Sequence, residues 1–260
     1  MRDRVAALAA AVWLLSLGPA VGQDATTRTD SDPTRPVLFS VRPEFSQITD
    51  DFWRWQIIAR YDRAAMRQRR WLSGQRGLLL RFEMPLAFSG LAAGPGAPRE
   101  TAGGLGDAYA QVLTVPWISG RFALAGGTGL FIPTATDRTL GSGKVTLAPV
   151  VAPVWFLRGR GMFYLKFQDF ISVAGDDERA DAHFFLITPT LIHKLTARSW
   201  ILVDVESRTD WLADVSGVKT GVQFGYILPA GFGVWVKPEV WAGAGRGGEW
   251  NFKTGLVWYR

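Results

Sequence analysis

The stretch EWNFKTGLVW at residues 249–258 decides the fold, because its side chains alternate between apolar and polar character. Trp250 and Phe252 fall on one face of an extended chain, whereas Asn251 and Lys253 fall on the other. A period of two residues is the pattern of a β-strand with one apolar face. Because the opposite face carries charge, a strand of this kind does not belong in a buried core.

The same alternation recurs upstream, at spacings that suit short antiparallel strands. In one example Val234 and Val236 oppose Lys237 and Glu239. Strands that are apolar outside and polar inside suit a closed membrane barrel, because lipid satisfies no backbone polar group and closure removes the sheet edges. The sequence therefore predicts an all-β fold, a transmembrane antiparallel up-and-down β-barrel. Further segments with this pattern lie at residues 78–84, 163–168, 201–208 and 219–228.

The connections between these segments alternate in length, as the periplasmic turns and extracellular loops of such barrels do. Eleven strands are readable from Phe52 onward, and residues 36–45 supply one more, which places both termini in the periplasm. We therefore predict twelve strands. Ten strands is the alternative, because the connection from Ala64 to Gln75 is long for a periplasmic turn. Short connections lie near residues 118–120, 158–160, 196–198 and 229–231, and long ones at 89–103, 133–144, 174–181 and 211–217.

The first residues have the parts of a cleavable signal peptide. Arg2 and Arg4 form a basic start, residues 5–17 are apolar, and Ala20-Val21-Gly22 supplies small residues for cleavage. A membrane-anchoring helix would need roughly 20 apolar residues, so cleavage is the better interpretation. The predicted destination is the cell outer membrane of a Gram-negative bacterium. The predicted division is a signal peptide at 1–22, a disordered leader at 23–35 and the barrel at 36–260.

The composition fits this location and argues against catalysis. The chain is 48% hydrophobic with 12 Trp, 16 Phe and 5 Tyr, which a barrel places against lipid and in interfacial girdles. There is no cysteine, so disulfides and thiolate metal sites are excluded. His183 and His193 share the predicted lipid face, and no serine motif accompanies them. We predict no enzyme, no metal site and no cofactor.

Polar residues that alternate with the apolar, lipid-facing residues of each strand are predicted to line the lumen. Charges of both signs occur there, which fits either a wet channel or a ladder of ion pairs that rigidifies a narrow barrel. Inward aromatic rings either form a wall for a planar solute or simply fill the lumen. The candidate lumenal and solute-binding residues are Arg81, Glu83, Tyr164, Lys166, Asp204, Glu206, Arg208, Lys219, Trp235, Lys237, Glu239 and Lys253.

Charges of opposite sign gather at the two predicted ends of the barrel. Arginines mark the turns, whereas acidic residues mark the loops. These are interpreted as solvated rims, with carboxylates that accept backbone hydrogen bonds in turns. The alternative is an acidic rim that binds divalent cations or lipopolysaccharide-bridging ions through oxygen ligands. The rim carboxylates are Asp137, Asp176, Asp177, Glu178, Asp181, Asp210 and Asp214, and the candidate loop-motif residues are Asp107, Asp137, Asp176, Asp177, Arg179 and Asp181.

An ordered set of motifs runs from about Val37 to the C-terminus: RFEMPL at 81–86, GLGD at 104–107, PTATD at 133–137, LGSGK at 140–144, GDD at 175–177, RAD at 179–181, ES at 206–207 and DW at 210–211. In these motifs the chain resembles the outer-membrane barrel family named for the meta-pathway of phenol degradation. The resemblance implies a barrel that moves or senses small, often aromatic or hydrophobic, compounds.

Two functions of different classes remain open on this basis. One is a passive channel or transporter for small solutes, and the other is a structural or sensory barrel with a plugged lumen and ligand-binding loops. Fully paired inward charge would favour the plugged barrel, and an uncompensated basic patch beside aromatic rings would favour the channel. The expected partners are outer-membrane lipid, lipopolysaccharide, the barrel-assembly machinery and a small-molecule solute, with no nucleic acid; the oligomeric state stays open.

Overall fold

A computed structural model of the chain describes residues 39–70, 75–91, 100–158, 161–228 and 232–258. Within these ranges the secondary structure is entirely β, and no helix is long and apolar enough to cross a membrane. The predicted signal peptide and leader lie outside the described residues. The β-segments are β1 (Phe39–Gln47), β2 (Phe52–Arg70), β3 (Gln75–Leu91), β4 (Glu100–Leu105), β5 (Ala108–Ser119), β6 (Phe122–Ile132), β7 (Lys144–Leu157), β8 (Gly161–Gly175), β9 (His183–Lys194), β10 (Ser199–Asp210), β11 (Val215–Ile227), β12 (Phe232–Gly243) and β13 (Trp250–Trp258).

The sheet closes on itself into a barrel of twelve antiparallel strands. Each strand pairs with the next along the chain, and β1 pairs with both β2 and β13. Glu44 of β1, for example, lies opposite Gln56 on one side and Lys253 on the other. Segments β4 and β5 both pair with β3 and together make one strand. The predicted fold class and strand number are therefore confirmed.

The break between β4 and β5 is a β-bulge. Glu83 pairs with Tyr109 and Leu86 pairs with Leu105, so two residues of β3 face three residues of the opposite strand. The extra residue bends the strand, and the N–H of Gly106 still donates to the Pro85 carbonyl at 2.9 Å. The GLGD motif is thus a bulge inside a strand.

The connection that suggested a ten-stranded alternative is itself mostly strand. Segment β2 runs to Arg70 and β3 begins at Gln75, so the connection shrinks to residues 71–74. The arginine-rich sequence lacks the apolar alternation of the other strands, which is why its strand character was missed. The predicted loop at 89–103 is also shorter, since β3 extends to Leu91 and β4 starts at Glu100. The first strand is described over Phe39–Gln47, two residues beyond the predicted end at 45, and residues 36–38 of the prediction lie outside the described residues.

The two faces of the barrel follow the predicted phase. Phe224 is 50% exposed on the outer surface, whereas its neighbour Gln223 is 2% exposed in the lumen. Pairs of aromatic rings lie at both ends of the apolar outer surface. The end of the barrel with the short connections is called the turn end, and there the ring centres of Phe232 and Trp258 lie 5.2 Å apart. At the opposite loop end the Phe45 and Trp250 rings lie 5.1 Å apart. Such an apolar belt with aromatic girdles is the surface that a lipid bilayer requires.

Candidate functional site

A cavity of about 310 Å³ lies in the middle of the lumen. Its volume is at the lower end of the range for small-molecule sites, roughly 300–1,000 Å³. Arg208 and Trp235 also face the lumen, but at other positions along the barrel axis, and they do not line this cavity. The remaining ten candidate lumenal residues all do: Arg81, Glu83, Tyr164, Lys166, Asp204, Glu206, Lys219, Lys237, Glu239 and Lys253.

One wall of this central cavity, on β10–β13, is a chain of ion pairs. Lys237 Nζ lies 2.5 Å from Asp204 Oδ2 and 2.8 Å from Glu239 Oε1. Lys253 Nζ lies 2.9 Å from the second Glu239 oxygen, and Lys219 pairs with Glu206 at 2.8 Å. These pairs join β10 to β11, β10 to β12 and β12 to β13, so this wall is a rigid ladder of the kind expected for a narrow barrel.

The ladder continues across β1 onto β2 and β3. Arg42 Nε lies 2.5 Å from Glu44 Oε1, and its Nη2 lies 3.5 Å from Glu83. Beyond it the buried Asp62 carboxylate accepts from Arg60 Nη2 at 2.5 Å and from Arg81 Nε at 3.0 Å. Asp62 is a lumenal residue that the sequence analysis did not single out, although it follows Arg60 in strand phase.

The opposite wall, on β6 and β7, is small and uncharged. Ala125, Gly126, Val150 and Ala152 line the cavity there. A side chain on the neighbouring Gly127 would collide with the Val112 carbonyl of β5, so glycine is required where these strands approach closely. The space of the cavity therefore exists because one wall lacks long side chains.

An apolar layer fills the turn end of the lumen. Trp200 of β10 and Trp235 of β12 are its largest members, and Trp235 is 5% exposed. A side chain on Gly225 would collide with the Trp200 ring, and one on Gly255 with the Trp235 ring. The other buried members of this layer are Ala123, Val154, Met162, Tyr164, Ile192, Leu202 and Val257.

Trp235 belongs to this apolar layer and does not line the central cavity, so its role as a wall of a solute site stays a prediction. The alternation of β12 correctly predicted that this ring points into the lumen. Its position along the barrel axis, however, is nearer the turn end than the cavity, among apolar side chains. The Nε1 atoms of Trp200 and Trp235 are buried with no hydrogen-bond partner within the described part of the chain. The two rings are therefore held in this layer by packing and not by polar contacts.

An aromatic arc lies on the lumenal face of the loop-end half, and the sequence analysis missed it. Its four members are Tyr109, Phe131, Phe170 and Phe184. Ring centres are 4.5 Å apart for Tyr109–Phe131, 6.1 Å for Phe131–Phe170 and 4.5 Å for Phe170–Phe184. These separations lie within the range of favourable aromatic pairs, about 4.5–7 Å. Tyr109 also lines the central cavity, so the aromatic arc meets it there.

Arg208 extends the aromatic arc instead of lining the cavity. Its guanidinium carbon lies 4.2 Å from the centre of the Phe184 ring, a cation–π contact, and Nη2 lies 3.2 Å from Asp210. A signal for the aromatic arc did exist in the sequence: counting in twos from Lys166 through Gln168 places Phe170 inside the barrel.

The loop between β6 and β7, residues 133–143, folds into the loop end of the lumen. Thr139 accepts a hydrogen bond from Arg54 of β2 at 2.9 Å through its carbonyl. Its hydroxyl lies 2.9 Å from the hydroxyl of Ser89 on β3, and Leu140 is buried. The lumen is therefore narrowed from the loop end by this inward loop.

The predicted loop-motif residues hold the inward loop in place. Asp107, at the bulge, accepts from the Ser142 N–H at 2.6 Å and from its hydroxyl at 2.7 Å. Arg179 donates to the carbonyls of Arg138 and Gly141. Asp137 accepts from the Thr139 N–H and hydroxyl, both at 2.8 Å, and Asp181 lies 2.9 Å from Lys144.

The remaining loop contacts agree with turn architecture. Asp176 accepts from the Glu178 N–H at 2.9 Å, and Asp177 is exposed beside it. Hydrogen bonds from Thr139 hold the pKa of the Asp137 carboxyl below its ordinary value, and hydrogen bonds from Lys144 and Ser172 do the same for the pKa of Asp181. In the described ranges no three acidic or imidazole groups converge in a way that could hold a metal ion. The divalent-cation hypothesis stays a prediction.

The two histidines lie on the outward face of β9, as their strand phase predicts. His183 Nε2 is 3.5 Å from Asp169 at the loop end, and its ring centre is 6.5 Å from that of Trp211. His193 pairs in register with Gly161 and Ile201 near the turn end. His193 is only 9% exposed, and the role of the two histidines as anchors near the lipid headgroups stays a prediction.

Comparison with known proteins finds similar folds but no similar sequence family. No model of a known family matches the chain, and no curated protein does. The COG4313 outer membrane channel from Pseudomonas putida F1 is 12% identical over 89% of this chain and 99% of that one, with a TM-score of 0.73. The KdgM porin is 9% identical over 85% and 99%, and the NanC porin 7% over 85% and 100%, each with a TM-score of 0.57.

At these identities the likeness shows the fold alone. The chain has the architecture of porin-like outer-membrane barrels. Membership of the family named for the meta-pathway of phenol degradation is not confirmed.

Proposed function

We propose that this chain is an outer-membrane channel that lets small aromatic solutes pass through its lumen. The observation that carries the proposal is the aromatic arc that meets the central cavity at Tyr109. Flat rings stack favourably on such side chains, and the cavity has the volume of a small-molecule site. The similarity of the fold to the KdgM porin, the NanC porin and the COG4313 channel supports a channel in the outer membrane.

The proposed route runs from the loop end past the aromatic arc into the central cavity, and then through the apolar layer. Trp200 and Trp235 fill that layer, so solute passes only when these rings move. Apolar constrictions in channels gate by excluding and readmitting water, which is the behaviour we assign to this layer. The absence of a polar partner for either indole nitrogen within the described residues means that ring movement breaks no hydrogen bond.

The plugged structural or sensory barrel remains a second candidate, favoured by the filling of both ends of the lumen. Side chains close the turn end, and the inward loop narrows the loop end. On this alternative the ion-pair ladder only stiffens the barrel.

Solute entry into liposomes separates the two candidates. Phenylalanine and cyclohexylalanine are zwitterions of similar size that cross lipid poorly, and they differ in the aromaticity of the ring. We expect barrel-containing liposomes to admit phenylalanine faster than cyclohexylalanine, because stacking on the aromatic arc favours the flat ring. Equal entry of both would refute the aromatic route, and entry of neither would support the plugged barrel. Liposomes without protein give the baseline.

A further inference from the structure

Lys166 of β8 stands apart from the other charges of the central cavity. Among the described residues it has no hydrogen-bond partner and no carboxylate at ion-pairing distance. The Glu206 carboxylate also lines the cavity, but Lys219 holds it at 2.8 Å. The ammonium group of Lys166 is thus available to another anion.

The number of charged side chains around the cavity agrees with an unpaired ammonium group at Lys166. In the described chain seven basic side chains line the cavity, and six acidic side chains either line it or pair with those that do. The six acids are all ion-paired with basic residues other than Lys166. These thirteen side chains therefore carry a net charge of +1, and Lys166 is the basic residue among them that has no ion pair.

Aromatic and small side chains surround the surplus charge. Tyr164 and Gln168 are the lumenal neighbours of Lys166 on β8. From β5 the Tyr109 side chain lies against Gly129, where any side chain would collide with it, and its hydroxyl reaches Gln168. Lys166 and Tyr109 thus both line the cavity, and Gln168 lies next to Lys166 in strand phase and within reach of the Tyr109 hydroxyl.

We propose that the central cavity binds the carboxylate of a small aromatic acid, with Lys166 as the contact for the negative charge and Tyr109 beside the ring. One surplus positive charge matches a monoanion, whereas a dianion such as a phosphate monoester would bring a second charge with no partner. Unpaired charge in a cavity removed from bulk water is unfavourable, so the anion neutralises Lys166 when it binds. The proposal rests on the proposed function for the aromatic nature of the solute.

Isothermal titration of the folded barrel in detergent tests the site without requiring transport. Three probes separate charge from ring: benzoate has both, benzyl alcohol has the ring alone, and acetate has the charge alone. We expect benzoate to bind at least about tenfold more tightly than either, because a charge-assisted contact adds to ring packing. Equal binding of benzoate and benzyl alcohol would overturn the role of Lys166, and equal binding of benzoate and acetate would overturn the role of the ring.

Variants at the same position sharpen the test. Lys166→Met keeps the length of the side chain and removes the charge, and it should weaken benzoate binding about ten- to hundredfold while leaving benzyl alcohol unchanged. Lys166→Arg should retain benzoate binding. Lys194→Met is the matched control, because it removes the same ammonium group at a position of β9 that does not line the cavity. Unchanged benzoate affinity in Lys166→Met would refute the proposal.

The outcomes distinguish this site from the proposed channel. Benzoate binding without solute entry in liposomes would leave the site in place and refute transport. Entry of phenylalanine with no preference for benzoate would keep the channel and refute the site. Heat-modifiable gel mobility confirms folding of every variant, and Lys166→Gln serves as a second neutral variant if the methionine substitution fails this check.

Discussion

Replacement of Trp235 by alanine tests whether the apolar layer is the constriction of the pore. The Trp235 ring lies over Gly255 and is 5% exposed within the turn-end layer. The surrounding wall consists of hydrogen-bonded strands in a closed sheet, which cannot collapse into the space that the indole leaves. Water should therefore enter that space.

The size of the effect follows from the same contacts. Removal of a buried aromatic side chain costs about 3–5 kcal/mol in stability, which a closed barrel should tolerate with a lower unfolding temperature. A dry constriction that fills with water becomes conductive, so we expect single-channel conductance to rise roughly twofold or more. Gly255→Ala should also disturb the layer, because its methyl group would displace the Trp235 ring.

Planar-bilayer recording with a matched control decides the question. Trp258→Ala removes the same side chain from the outer surface of the same end, where Trp258 is 48% exposed and packs on Phe232. We expect Trp258→Ala to conduct as the unmodified protein does. Equal conductance of Trp235→Ala and the unmodified protein would show that the apolar layer is not the constriction.

Three further predictions concern the loop end. Phe170→Ala, in the middle of the aromatic arc, should weaken current block by an aromatic solute about two- to tenfold, while the outward Phe224→Ala should not; equal effects would refute a role for the aromatic arc. Asp107→Asn should release the inward loop, because Asp107 accepts two hydrogen bonds from Ser142, and limited proteolysis within residues 133–143 should speed up; unchanged cleavage would contradict this. Because the pKa values of Asp137 and Asp181 are lowered, their stabilising contacts persist at every pH above about 4 and are lost only as pH falls further. Current noise should thus stay constant from neutral pH down to about pH 4 and increase below it, and a change already at pH 6 would point to other groups.

The fold could be predicted because its main signal is local. The side chains of a strand alternate by covalent geometry, so the apolar and polar residues within 249–258 predicted the two faces of β13 with no knowledge of its neighbours. The same reasoning placed ten charged or aromatic residues around one cavity. It failed where a strand lacked apolar alternation, as in the arginine-rich end of β2.

The position of each residue along the barrel axis could not be predicted, because it depends on the pairing register between strands that are distant in sequence. Trp235 was correctly placed inside, yet only the register of β12 with β13 shows that it packs over Gly255 below the cavity. The inward loop depends on a contact between Arg54 and Thr139, which lie 85 positions apart. The sequence around Arg54 or Thr139 does not indicate which residue each of them contacts.

Single-channel recording of the unmodified protein, with and without benzoate, tests the central claim most directly. We expect stable conductance steps that benzoate partly blocks, since the solute would occupy the cavity that ions must cross. A silent bilayer, with folding confirmed by heat-modifiable gel mobility, would contradict the channel and leave a plugged barrel.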